Sequence, residues 1–401
     1  MLSAGIATLL QVNFGTRLPI VQGMSFAFLG PYFAIIAMVT TRSNDVATIM
    51  AYITGAIILG SVVEIFIGFS GLIGKVTKYL TPVVIGPVVT LIGLSLYGAG
   101  APQAGENWFL SGLVIALIFF LSLVVSRKKP MVSAFSILTS VIIVYIIAVI
   151  LTVTGVYTPA TPGYVDFSPI ANAQWFRLNI FFPWGTPKFD FSFLLVILAG
   201  YLASIIESYG DYHTIAAVSG APKLTGAQVS RGISMEGLAC FLGAILGGPC
   251  NTSYSENIAL VGLTGVASRY VVNVGAGILI FLGIFAKFGA VVATIPSPIV
   301  GGLYCSLFGL IAAVGVSNAA KADLSSMRNL MIMGFILFMG LSVPAYFSGL
   351  EAAGTPFVIE GATWLSDIIT TIGKTSMAVA AILGLILDNI IPGTPEERGI
   401  I

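Results

Sequence analysis

Gly247-Gly-Pro-Cys-Asn-Thr-Ser-Tyr-Ser-Glu-Asn-Ile-Ala-Leu-Val-Gly-Leu-Thr-Gly-Val-Ala-Ser-Arg269 is a broken, polar stretch set between apolar runs of membrane-span length. It carries Glu256. A carboxylate near a bilayer centre costs about 2.5–3.5 kcal/mol or more, so it faces a cavity or a partner. Gly-Gly-Pro followed by small polar residues cannot continue an ordinary membrane helix. Irregular backbone at membrane depth occurs where it lines a polar site. The stretch therefore predicts a half-helix starting near Glu256. Unpaired N–H groups at that start would donate to ligand carbonyls, and Glu256 would accept from ligand N–H groups. A flat heterocycle with alternating C=O and N–H groups matches. Asn257 either bonds that ligand or caps the broken backbone.

Composition sets the class. Of 401 residues, 57% are hydrophobic and 8% charged, where a soluble chain carries about a quarter charged. The chain is expected to be an all-α polytopic membrane protein. The alternating strands of a membrane β-barrel are absent, and a net charge of +1 gives no reason to expect nucleic acid as a partner. Cys240, Cys250 and Cys305 lie in or beside apolar segments and read as small buried hydrophobes. No nucleophile–His–acid set, metal spacing or phosphate loop is evident, which argues against an enzyme, a pump driven by ATP, or a resident cofactor or metal. No cleavable signal is evident either.

Apolar windows fall at roughly 1–14, 19–40, 47–72, 81–99, 107–126, 131–154, 191–213, 229–247, 253–267, 270–292, 297–317, 328–349 and 373–391, about thirteen crossings. The interval 155–190 is rich in proline and aromatics and reads as an extracellular loop on the membrane interface. With the loop at Arg127, Lys128 and Lys129 placed in the cytoplasm, Arg17, Lys75, Lys78, Lys223, Arg231, Arg269, Lys321, Arg328 and Arg398 share its side. Arg42, Arg177, Lys188, Lys287 and Lys374 take the other, a bias of twelve to five that places the C-terminus in the cytoplasm.

Pro82-Val-Val-Ile-Gly86 with Gly93-Leu94 is echoed by Pro298-Ile-Val-Gly-Gly302 with Gly309-Leu310. Seven crossings separate the two, so the repeat is inverted, a transporter signature. The counterpart of the 247–257 break is then Gln22-Gly-Met-Ser-Phe-Ala-Phe-Leu-Gly-Pro31. Among the intramembrane acids, Glu207 and Asp211 stand four apart on one helix face and suit uptake of a proton or Na⁺. Glu64 and Glu236 read as acids near helix ends or in structural hydrogen bonds. Asp388 reads as solvated near the cytoplasmic end of the last window, and His213 as an interfacial residue.

These residues resemble the nucleobase–cation symporter type 2 group, the nucleobase–ascorbate transporter family with its xanthine and uracil permeases. The likeness is carried by Asn13-Phe-Gly-Thr-Arg-Leu-Pro-Ile-Val-Gln-Gly23 with Ser25-Phe26, by Thr81 to Leu96, by Glu207-Ser-Tyr-Gly-Asp211, by Glu256-Asn-Ile-Ala-Leu-Val-Gly-Leu-Thr264 through Ser268-Arg269, and by Leu387 to Gly399. It covers essentially the whole chain. The resemblance implies fourteen spans in two inverted seven-span repeats with core and gate domains. This chain is expected to hold thirteen of them, starting inside the second.

The expected division is 1–154 for the first repeat, 155–190 for the loop, 191–391 for the second repeat and 392–401 for a cytoplasmic tail. By the same resemblance, Glu207 and Glu256 bind substrate, Phe26 packs on the base, and Tyr254 and Ser255 present backbone to it. Ala259 stands where the signature has glycine. The implied function is a secondary symporter in the plasma membrane that imports uracil or a purine such as xanthine with H⁺ or Na⁺, as a homodimer. Asp211 and Glu207 would couple the ion. Alternatives are an ascorbate-type carrier, a sulfate-permease-like anion carrier, or a non-transporting receptor.

Overall fold

A computed structural model describes residues 1–73, 79–127, 130–177 and 179–400. The chain is mostly helical. In order, the elements are α1 (Leu2–Asn13), β1 (Gln22–Met24), α2 (Leu29–Thr40), α3 (Val46–Phe69), α4 (Pro82–Ser95), α5 (Tyr97–Gly105), α6 (Trp108–Phe119), α7 (Pro130–Val153), α8 (Phe191–Val218), α9 (Gly226–Ile245), β2 (Asn251–Ser253), α10 (Ser255–Thr264), α11 (Arg269–Ile284), α12 (Ala286–Ala293), α13 (Ser297–Ala319), α14 (Met327–Ala352), α15 (Thr363–Gly373) and α16 (Ser376–Ile390). Among the described residues six helical stretches are long and apolar enough to cross a membrane, accompanied by five shorter apolar helices. Each apolar window of the sequence falls on a helix or a broken helix. Lys75, Lys78, Lys128 and Lys129 of the charge pattern lie outside the described residues.

Helix ends follow local chemistry. Asp45 caps α3, its carboxylate accepting from the Thr48 N–H at 2.9 Å, which holds that exposed carboxyl below its usual range. Thr225 and Gln228 form a reciprocal capping box at the start of α9. At the far end of α9, Gly247 takes φ +72°, a backbone that glycine adopts without strain, and Pro249 follows. The 155–190 interval is largely irregular, as its prolines predict, with one short helix at Ser168–Asn172. It is fastened to the bundle by Phe182 N–H to the Ile245 carbonyl at 2.7 Å and Lys188 N–H to the Ala51 carbonyl at 3.1 Å.

The helices pack as two sets, with α8 touching both. One set holds α1, α2, α3, α8, α9, α10 and α11 around the strands; the other holds α4, α5, α6, α7, α13, α14 and α16. Within the second set the two echoed helices, α4 and α13, lie against each other. A Cβ on Gly86 would meet Ala319, one on Gly93 the Phe308 carbonyl, and one on Gly315 the Thr90 backbone. Numbers rise along one helix as they fall along the other, so the pair is antiparallel. Small residues allow this close approach, and dispersion contacts replace the hydrophobic drive that lipid does not supply. Gly93→Leu is expected to lower stability by about 1–3 kcal/mol, read as a drop in melting temperature of the detergent-purified protein. Gly112→Ala, where a Cβ meets open space, serves as the unchanged control.

Two of the expected placements, those of Asp388 and Cys305, are corrected. Asp388 is not solvated: it is fully buried, bonded by Arg328 at 2.9 Å and by Arg398 at 2.8 Å. The last residues fold back over α16 and bring Arg398 onto it. Of the two readings of Glu236, which lies in the middle of α9, the structural hydrogen bonds are the one found. Cys240 and Cys250 are buried as expected, but Cys305 is exposed.

Candidate substrate site at the paired strands

The two breaks meet. β1 and β2 pair antiparallel in the register Gln22 with Ser253, Gly23 with Thr252 and Met24 with Asn251. The ladder is extended by Tyr254 N–H to the Val21 carbonyl at 3.0 Å and by Ser25 N–H to the Cys250 carbonyl at 3.2 Å. Three-residue strands have no stability of their own. Here each satisfies the backbone polar groups of the other, which a membrane interior requires. Each strand leads straight into a helix start, at Ser25–Phe26 on one side and Tyr254–Ser255 on the other. Gly23 is needed because the Tyr254 ring lies where its Cβ would be; the Tyr254 hydroxyl donates to the Met24 carbonyl at 3.2 Å.

The predicted site residues sort as follows. Asp211 and Ser255 are joined: the Ser255 hydroxyl donates to Asp211 Oδ1 at 2.8 Å. Glu207 is half-buried on α8, one turn before Asp211. Phe26 stands edge-on to Phe308 and Tyr304 of α13, at centroid distances of 5.4 and 6.5 Å, so its ring sits on the seam between the two helix sets. Asn257 braces the opposite break, its Oδ1 accepting from the Val21 N–H at 2.7 Å; of its two readings, the cap describes this contact. Glu256 is the second residue of α10. The side chains of Glu256 and Ala259 lie outside the described residues. Arg231 and Arg269 brace the neighbouring helix. They donate to the Gly15 and Val12 carbonyls at the end of α1, at 2.8 and 3.1 Å.

Sequence reasoning underrated Glu236. Its carboxylate, fully buried, accepts from Ser204 at 2.9 Å, Ser208 at 2.7 Å, Tyr212 at 2.9 Å, Thr252 at 3.1 Å and the Gln22 amide at 3.2 Å. These donors come from α8, β2 and β1, so one acid ties both strands to the bundle. A signal was present: Ser204, Ser208 and Tyr212 are four apart and form a hydroxyl stripe on one face of α8, adjacent to the face bearing Glu207 and Asp211. A cavity of about 550 Å³ lies elsewhere, between the end of α3 and the start of α9, and is lined by Gly68, Phe69, Ser230 and Arg231 among others. None of the predicted site residues lines it.

The family model Xan_ur_permease, described as Permease family, matches residues 1–349. Human "Solute carrier family 23 member 2" is 37% identical over 439 residues, covering 99% of this chain and 67% of the relative. "Nucleobase-ascorbate transporter 2" of Arabidopsis thaliana is 36% identical over 417 residues, covering 99% of this chain and 79% of the relative. Among solved structures, the transmembrane domain of a cyanobacterium bicarbonate transporter, BicA, shares the fold with a TM-score of 0.56 at 12% identity, covering 96% of this chain and 88% of that one. The chain belongs to the permease family of the solute carrier 23 and nucleobase–ascorbate transporters, and is an integral membrane transporter rather than an enzyme.

Proposed function

We propose that this chain is a secondary active symporter that imports a nucleobase, uracil or a purine such as xanthine, across the plasma membrane with H⁺ or Na⁺. The observation that carries the reading is the Ser255–Asp211 hydrogen bond beside the paired strands. It draws the acid-bearing face of α8 to the start of α10, where orphan N–H groups meet a carboxylate pair. Glu207 and Glu256 accept from the base N–H groups. The Ser255 N–H at the start of α10 donates to a carbonyl of the base, with Tyr254 beside it, whose own N–H is held by the Val21 carbonyl, and Phe26 packs on its face. Asn257 holds the facing break in place. Asp211 with Glu207 takes the coupling ion, because charge compensation at that pair is what a cation supplies.

The antiparallel contact of α4 with α13 supports two inverted seven-span repeats, with 1–154 and 191–391 as the halves, 155–190 as the extracellular loop and 392–401 as the cytoplasmic tail. Phe26 on the seam supports a motion of the strand-bearing set against the other set, in a homodimer. The names of the relatives favour ascorbate as the second reading.

Competition binding on the purified chain separates these. Labelled uracil or xanthine is bound, then challenged with uracil, xanthine, ascorbate and sulfate. Displacement by a nucleobase alone is expected, with Glu256→Ala losing the binding. Displacement by ascorbate, or by sulfate, contradicts the nucleobase assignment.

A further inference from the structure

The cavity of about 550 Å³ between the end of α3 and the start of α9 has no part in the transport reading. It is lined by Phe69 of α3 and by Gly226, Ala227, Ser230, Arg231 and Ser234 of α9, among others. The α9 residues recur three and four apart, so they form one helix face. Three kinds of donor meet there. The Arg231 side chain spends its Nε–H on the Gly15 carbonyl at 2.8 Å, and among the described residues no carboxylate pairs with it. Ser230 is only 8% exposed. Ser234 donates to its carbonyl at 2.9 Å, while the Ser230 hydroxyl itself has no partner among the described residues. Gly226 and Ala227 are the first two residues of α9, where a helix offers its N–H groups no acceptor. The Thr225 cap takes the Gln228 N–H instead.

The charge around the cavity has one sign. Residues 65–73 and 219–234 hold no Asp or Glu, but do hold Lys223 and Arg231. Arg269 adds a further cation at the same end of α1, on the Val12 carbonyl. Unused donors in a positive field call for an anion. A helix start favours negative charge, and the guanidinium fork matches the oxygens of a phosphate. The volume falls in the range of small-ligand sites, roughly 300–1,000 Å³, and exceeds what one phosphate fills. The rim is apolar: Phe66 and Phe69, in the last turn of α3, are 72% and 67% exposed. Because α3 is long and apolar enough to cross a membrane, its end reaches the membrane surface. We propose that this cavity binds a phosphate-bearing anion, the headgroup of an anionic lipid or a free phosphate, with Arg231, Ser230 and the start of α9 as its donors. Its occupant would join α3 to α9, the helix whose Glu236 accepts from both strands. The inference goes beyond the transport reading and does not depend on which substrate is carried.

The test uses the purified full chain in a neutral detergent. It is titrated by calorimetry with dihexanoyl phosphatidylglycerol, with zwitterionic dihexanoyl phosphatidylcholine and with inorganic phosphate. Phosphatidylglycerol is expected to bind at least about tenfold tighter than phosphatidylcholine. Arg231→Gln is expected to weaken that binding at least about tenfold, the effect of losing a charge-assisted hydrogen bond. Ser230→Glu breaks no side-chain hydrogen bond and sets a carboxylate in the cavity. It is expected to weaken binding as much, and it is read alone should Arg231→Gln not fold. Phosphatidylglycerol binding that phosphate does not displace identifies the lipid headgroup as the occupant. Phosphate binding that competes with the lipid and is lost in the variants identifies free phosphate. The proposal is overturned if neither phosphate binding nor a preference for phosphatidylglycerol over phosphatidylcholine is found, or if the binding found survives Ser230→Glu.

Discussion

Glu207→Gln is expected to reduce nucleobase uptake at least about 30-fold while leaving expression and melting close to wild type. Truncating one partner of a buried, charge-assisted hydrogen bond costs about 2–5 kcal/mol. Glutamine keeps the shape of the side chain but replaces one acceptor oxygen with a donor NH₂. A base N–H aimed at that donor loses its bond and remains desolvated. Glu207 is half-buried one turn from Asp211, whose Oδ1 is bonded to Ser255 at the start of α10. The substitution thus acts at the centre of the proposed site and leaves the backbone bonds of the strand ladder in place. Initial rates of labelled uracil or xanthine entry into proteoliposomes read the effect. Uptake within twofold of wild type would remove Glu207 from the site.

Asp388→Ala is expected to be the most damaging single change to the fold. Asp388 is completely buried, and its carboxylate bonds Arg328 at 2.9 Å, Arg398 at 2.8 Å and the Thr81 hydroxyl at 2.8 Å. Arg328 also donates to the Ile391 and Asp388 carbonyls, at 2.6 and 2.7 Å, closing the C-terminal end of α16. Removing one partner of a buried ion pair costs about 3–5 kcal/mol because the other charges stay buried and uncompensated. Here two guanidinium groups would be left. Loss of monodisperse protein on size-exclusion chromatography, or a melting drop of many degrees, is the expected readout. Arg42→Ala provides the contrast. Its pair with Asp190 spans 3.5 Å, with the arginine side chain 65% exposed, and an exposed pair contributes about 0–1 kcal/mol. Equal stability of the Asp388 and Arg42 variants would contradict the assignment of the buried cluster.

Much of the fold was legible because lipid makes strong demands. Apolar length marks helices, and the two Gly- and Pro-edged breaks stand out since a membrane interior forbids unpaired backbone. That is why Gln22–Met24 and Asn251–Ser253 could be singled out as matching elements, and the observed ladder joins them. Their register was not legible: it is set by contacts such as Asn257 with Val21, 236 residues apart in sequence. Acids were harder to read than breaks. For Glu236 a structural hydrogen bond was one of two readings, but the convergence of Ser204, Ser208, Tyr212, Thr252 and Gln22 from three elements was not legible. Asp388 was misread because its arginines come from α14 and from a tail that folds back, and no local pattern announces such a fold-back. Phe26 was identified as an aromatic of the site, whereas its contact with Phe308 and Tyr304 depends on how the two helix sets meet.

Concentrative uptake tests the central claim most directly. Proteoliposomes holding the full chain are given an inward Na⁺ or H⁺ gradient, and the internal concentration of labelled uracil or xanthine is followed. The account predicts accumulation above the external concentration with one of the two gradients, and collapse to equality when an ionophore dissipates it. Entry that stops at equal concentrations under both gradients, or no entry of either base, would contradict it.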